Sequence, residues 1–130
     1  MDLQEKFNIL LTKFNLGKFD EVIFEATLMS KKYPAQEVFI NLLSLSYQAK
    51  GEFNKSILIL EEALKKGKKN FNFWNNLGLG YLKIKNFNKS EECLIEANKL
   101  NPKFINTLNN LGNLYVELNN FDNPNQNYSK

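Results

Sequence analysis

The segment Phe71-Asn72-Phe73-Trp74-Asn75-Asn76-Leu77-Gly78-Leu79-Gly80-Tyr81-Leu82-Lys83, followed after Ile84-Lys85-Asn86 by Phe87-Asn88-Lys89-Ser90-Glu91-Glu92-Cys93-Leu94-Ile95-Glu96-Ala97-Asn98-Lys99-Leu100, decides the fold. Phe71, Trp74, Leu77, Gly78 and Tyr81 fall at helical spacing on one side of its first half. Phe87, Ser90, Leu94, Ala97 and Leu100 do the same in the second half, and Pro102 follows where that helix must stop. Nowhere does the apolar pattern alternate with a period of two, so no strand is predicted. The turn between the halves recurs: Gly17-Lys18-Phe19, Gly51-Glu52-Phe53, Lys85-Asn86-Phe87 and Asn119-Asn120-Phe121 are each 34 residues apart. A single core has no reason to impose such a period, whereas a stacked array requires it.

Units 3–36, 37–70 and 71–104 each read as two helices, and an incomplete fourth covers 105–130. Trp74-x2-Leu77-Gly78-x2-Tyr81, then Ser90-x3-Leu94, Ala97 and Pro102, resembles the tetratricopeptide repeat. Ser90 and Leu94 stand where that pattern has Ala and Phe, exchanging small for small and large apolar for large apolar. The fourth unit repeats Leu111, Gly112 and Tyr115, and the second keeps Leu43, Ser44, Tyr47, Ser56, Leu60 and Ala63, with Lys68 in the proline's place. The first fits worst: it keeps Ile9, Gly17, Phe19 and Pro34, but Leu10 and Lys13 replace the Gly and Tyr. The resemblance implies an all-α, tetratricopeptide-type α-solenoid of antiparallel helix pairs, with three full repeats and a partial fourth in one array over 1–130.

The pattern also has a physical reading. Gly78, Gly112 and Ser44 are small where two helices must approach closely. Pro34 and Pro102 stand between one helix and the next, where a missing N–H costs nothing. Lys6 and Lys13 are expected on a side of the first helix that no earlier repeat covers. At the other end, Asn123 and Pro124 could start a second helix with too few residues left to finish it, so the chain reads as a fragment.

Composition excludes several chemistries. There is no histidine among 130 residues, which removes the commonest general base and metal ligand. Cys93 is the only cysteine and can close no intrachain disulfide; beside Leu94 it reads as a small buried side chain. All 17 basic residues are lysine, and the net charge is only +3, so neither bidentate guanine reading nor a nucleic-acid footprint is present. No stretch approaches the roughly 20 apolar residues of a membrane span, and the amino terminus does not read as a secretory signal. The expectation is a cytoplasmic, non-enzymatic protein with no cofactor, no metal, no nucleic acid and no membrane partner. Lys65-Lys66-Gly67-Lys68-Lys69 reads as a helix end, with Gly67 as a left-handed cap and Glu61 and Glu62 pairing one turn back.

The candidate site is a stripe of asparagines. Asn106, Asn109, Asn110 and Asn113 share one face of their helix, opposite Leu108, Leu111, Tyr115 and Leu118; Asn72, Asn75 and Asn76 repeat the stripe one unit earlier. The tetratricopeptide resemblance implies that first helices line a concave groove. An asparagine just before the Leu-Gly pair is similar to the ladder of the O-linked N-acetylglucosamine transferase superhelix, which holds an extended peptide by its main chain. That position is Asn8, Leu42, Asn76 and Asn110 in successive units, so one rung is missing. A carboxamide matches the donor and acceptor of a peptide unit without demanding a particular side chain. The competing reading is that asparagine is abundant throughout this chain and merely keeps a solvated face polar.

Leu79 joins these amides as an apolar contact, with Leu45 and Leu82 in similar places; Phe7, Leu11 and Phe14 are either groove anchors or, for Phe7, Leu10 and Phe14, a core stripe. Lys83 lies near the groove, but without arginine an acidic-peptide clamp is not supported. The predicted peptide-binding residues are therefore Asn72, Asn75, Asn76, Leu79, Asn106, Asn109, Asn110 and Asn113. Replacing Asn76 and Asn110 with alanine is expected to weaken binding and leave the melting curve nearly unchanged. Two other uses remain open: a substrate-recruiting arm of a larger glycosyltransferase or sulfotransferase, and self-association through exposed Leu114, Leu118 and Phe121.

Overall fold

The computed structural model describes residues 1–67 and 69–122, and side chains as far as residue 120. Lys68, the Phe121 side chain and the Asn123-Pro124 helix start lie outside the described residues. Among those described there are seven α-helices and no strand: α1 (Leu3–Asn15), α2 (Phe19–Lys32), α3 (Glu37–Ala49), α4 (Phe53–Lys65), α5 (Phe71–Lys83), α6 (Phe87–Leu100) and α7 (Ile105–Asp122). Helices α1, α3, α5 and α7 start 34 residues apart, as do α2, α4 and α6 at Phe19, Phe53 and Phe87. The fold is all-α and of tetratricopeptide type.

The turn inside each pair is one motif used three times. Gly17, Gly51 and Lys85 take left-handed φ values of 78°, 77° and 66°. The following N–H of Lys18, Glu52 and Asn86 donates to the carbonyl five residues back, at Lys13, Tyr47 and Tyr81. That hydrogen bond satisfies a carbonyl the helix end leaves over and reverses the chain. The fourth turn behaves otherwise: α7 continues through 119 and 120 to Asp122, where the sequence predicts a break before Phe121. Asparagine tolerates the left-handed conformation, but it does not compel it, and helix propagation wins here.

The chain divides into two compact units, Met1–Asn70 and the part from Phe71 onward. In the first, α1 packs on α2 and α3, and α3 also packs on α2 and α4. Leu10, Val22, Ala26, Phe39, Leu42 and Leu43 form its core, with Phe7 and Phe14 packed against it. Phe7 meets Phe39 edge-on at 6.1 Å and Phe14 meets Phe19 at 5.2 Å. Phe7, Leu10 and Phe14 are thus a core stripe.

Lys6 and Lys13 do not lie on an uncovered side. Lys13 donates to Glu25 at 3.0 Å and sits 3.7 Å from Glu21, both on α2; the Glu25 hydrogen bond raises its pKa above the usual lysine value. Lys6 reaches over the Tyr33 ring at 6.0 Å. Lys13 fills the place that Tyr47 and Tyr81 hold in later units, where each ring carries a lysine, Lys55 at 5.7 Å and Lys89 at 5.4 Å. An ion pair replaces a cation–π contact in the same register, and for that reason unit one departs from the repeat pattern without losing the fold.

In the second unit α5 packs on α6 and α7, and α6 also packs on α7. Gly78 makes the α5–α6 approach possible: a Cβ there would stand 2.6 Å from two atoms of Leu94. Ser90, fully buried, donates its hydroxyl to the Gly78 carbonyl at 2.7 Å. Gly112 holds the same place in the next repeat, yet among the described residues a Cβ there meets nothing within 4 Å, so no close approach explains it. Leu114 is not exposed as self-association would need; it is fully buried with Leu82 and Leu94. Leu118 packs against that cluster half-buried.

Candidate functional site

The asparagine stripes of the second unit sit on α5 and α7, first helices that pack side by side, and the structure divides the stripes between two environments. Asn75 and Asn76 are buried, only 4% and 6% exposed. Asn72, Leu79 and Asn110 are half-buried, while Asn106, Asn109 and Asn113 are exposed. The eight predicted residues therefore form a buried amide cluster and a solvent-facing row, and not one uniform ladder.

The buried cluster centres on Asn75. Its Oδ1 accepts from Thr107 Oγ1 at 3.0 Å and from Asn110 Nδ2 at 3.0 Å, and its own Nδ2 donates to Asn76 Oδ1 at 3.3 Å. These bonds tie α7 to α5. A buried amide costs little when its hydrogen bonds are made and much when they are not, so this cluster fixes how the two helices meet. Asn76 and Asn110 hold their places in it, and their replacement is therefore expected to lower the melting temperature as well. The separation of binding from stability predicted for that pair does not survive the geometry.

Thr107 is absent from the sequence-predicted set although it is fully buried. A signal for it existed. Thr107 is in register with Phe39 and Phe73, both at most 1% exposed, so a polar residue in that column needs a buried partner. The partner column is informative too. Phe7 is in register with Asn75, and the Phe7–Phe39 ring contact between α1 and α3 occupies the place that the Asn75–Thr107 hydrogen bond takes between α5 and α7.

Next to this cluster the same two helices enclose an open cleft of about 340 Å3 lined by Leu79, Leu82, Lys83, Lys85, Asn113, Val116 and Glu117. Leu79 and Leu82 supply an apolar wall from α5 and Val116 one from α7. Asn113, on the far wall, continues through Asn109 to Asn106, at helical spacings of four and three. Lys85, Val116 and Glu117 also escaped the sequence reading. Lys85 lies in a turn, and Val116 follows Tyr115, which helical spacing assigns to the apolar side although it is exposed. Tyr115 is turned to Glu91 of α6, and that hydrogen bond raises its pKa above the ordinary tyrosine value.

Chemically, the face offers apolar contact, neutral amides with both donors and acceptors, and the charges of Lys83, Lys85 and Glu117 at the cleft. Cys93, the cysteine of the chain, is buried. Among the described residues no helix is long and apolar enough to cross a membrane.

Residues 71–104 match the family described as Tetratricopeptide repeat. No curated protein matches the chain. Solved structures do. The first tetratricopeptide domain of human RPAP3 superposes with a TM-score of 0.81 at 19% identity, covering 93% of each chain. The Sgt2 tetratricopeptide domain from Aspergillus fumigatus gives 0.84 at 14% identity, over 94% of this chain and 83% of that one. The first tetratricopeptide domain of Spaghetti (RPAP3), bound to the HSP90 peptide SRMEEVD, gives 0.77 at 18% identity over 88% of each. At such identities the likeness is one of fold.

Proposed function

From a tetratricopeptide fold whose third repeat, 71–104, is recognisable by sequence alone, we propose that this chain is a non-enzymatic protein-interaction module that takes an extended peptide on its α5–α7 face. The observation that carries the reading is the row Asn106, Asn109 and Asn113, exposed on α7 and leading into the cleft walled by Leu79, Leu82 and Val116. Amides along such a row can pair with successive peptide units, while the apolar wall receives alternate side chains. A neighbour of the same fold carries a peptide, which supports the class of ligand and not its sequence. In this division of labour Asn75, Asn76 and Asn110 hold the two helices in position, and Asn72, Leu79, Asn106, Asn109 and Asn113 meet the guest.

The test uses peptides selected from a random display library on the intact chain, rebound to Asn109→Ala/Asn113→Ala. Losing two amide contacts of about 0.5–1.5 kcal/mol each weakens binding by about five- to 150-fold. Both residues are exposed, so the melting temperature stays put. Unchanged affinity for every selected peptide would remove these amides from the site.

A further inference from the structure

A second cleft lies in the first unit, lined from the second helices α2 and α4 and from α3. Helices α2 and α4 each pack on α3. Between them an open cleft of about 470 Å3 remains, with Ile40, Leu43 and Tyr47 of α3 as its floor. Those three residues share one helix face, at spacings of three and four. The walls are Thr27, Ser30 and Lys31 from α2 and Ile59, Glu62, Ala63 and Lys66 from α4.

The walls set what could enter. The Thr27 hydroxyl donates to the Ile23 carbonyl at 2.6 Å and the Ser30 hydroxyl to that of Thr27 at 2.9 Å, so both protons are already used within α2. Lys31 and Lys66 stand on opposite walls, and Glu62, 3.9 Å from Lys66, is the one acidic lining residue. The cleft therefore joins an apolar floor to a rim of net positive charge. By helical spacing Phe24 extends the α2 wall and Leu58 the α4 wall at the end away from the lysines, and both are 68% exposed. Side chains of this size so exposed have apolar area to bury on association.

We propose that the α2–α3–α4 cleft is a second docking site, which takes a protein segment carrying an apolar anchor side chain next to carboxylates. The anchor lies on Ile40, Leu43 and Ile59, and its acidic neighbour sits between Lys31 and Lys66. Charge complementarity selects the acidic segment, and the cleft volume falls in the range that holds a compact side-chain anchor. This site is independent of the peptide proposed for the α5–α7 face.

The experiment is a 1H–15N titration of the intact chain with the blocked peptide acetyl-Glu-Leu-Asp-amide, alongside its uncharged counterpart acetyl-Gln-Leu-Asn-amide. The acidic peptide is expected to shift amides of Thr27, Ser30, Tyr47, Ile59 and Ala63, and the uncharged one to do so far less. Lys31→Glu/Lys66→Glu should weaken the effect about tenfold. Ser30→Trp, which fills the cleft, should abolish it, while Asn109→Ala/Asn113→Ala should leave it intact. Equal shifts from both peptides, shifts spread over lysines of every helix, or full binding by the charge-reversed variant would each overturn the proposal.

Discussion

Removing the Asn75 side chain tests the reading that amides in this chain serve architecture before recognition. Asn75→Ala deletes three hydrogen bonds, two accepted at 3.0 Å and one donated at 3.3 Å. At about 1 kcal/mol net for each, the loss is about 3 kcal/mol. Part of that cost is the hydroxyl of Thr107, left buried with no acceptor. Thr107→Val removes the hydroxyl as well as the bond and should cost only about 1 kcal/mol. The double variant leaves no Thr107 hydroxyl stranded, so its loss should be about 1 kcal/mol smaller than the sum of the two single losses. Urea unfolding followed by circular dichroism reads all four corners of the cycle. In thermal scans Asn75→Ala should melt about 10 °C lower, a large part of a small domain's margin. A loss below about 0.5 kcal/mol for Asn75→Ala, or strict additivity in the cycle, would refute the claim that this amide joins α5 to α7.

Gly78→Ala should destabilise by about 1–3 kcal/mol in the same assay, because its Cβ would stand 2.6 Å from Leu94 and 3.3 Å from that residue's backbone nitrogen. Gly112→Ala, at the equivalent helical position but facing open space among the described residues, should instead stabilise by about 0.5–1 kcal/mol through helix propensity; a loss there would mean that something covers this face. Lys85→Gly should stabilise by about 1 kcal/mol, since Lys85 holds φ 66° where its counterparts are Gly17 and Gly51; no gain would show the turn to be unstrained.

The difference between Gly78 and Gly112 shows what kind of information the repeat carries. Both satisfy the pattern Leu-Gly-x2-Tyr, but only Gly78 has Ser90 and Leu94 seated on it. Sequence periodicity names the position that needs to be small; it does not supply the helix that needs it. Asn75 and Asn109 make the same point for the candidate site. They are one repeat apart and chemically identical, yet one is sealed under α7 and the other faces water.

The helices, their starts at a 34-residue spacing and repeat-pattern core positions such as Leu43, Leu60, Leu77, Leu94 and Ala97 were legible in the sequence, because apolar periodicity and turn residues act locally and repeat; the buried Phe39, Phe73 and Leu114 were not. Three matters were settled only by packing. The turn at 119–120 gave way to a continuous α7, since asparagine permits a left-handed residue without enforcing it. Lys13 turned to Glu25 on α2, an ion pair that only the finished hairpin brings together. The asparagine stripe parted into interior and surface because a helix seated between neighbours buries more than one narrow line of side chains, and only the neighbour's identity decides which amide finds a partner inside.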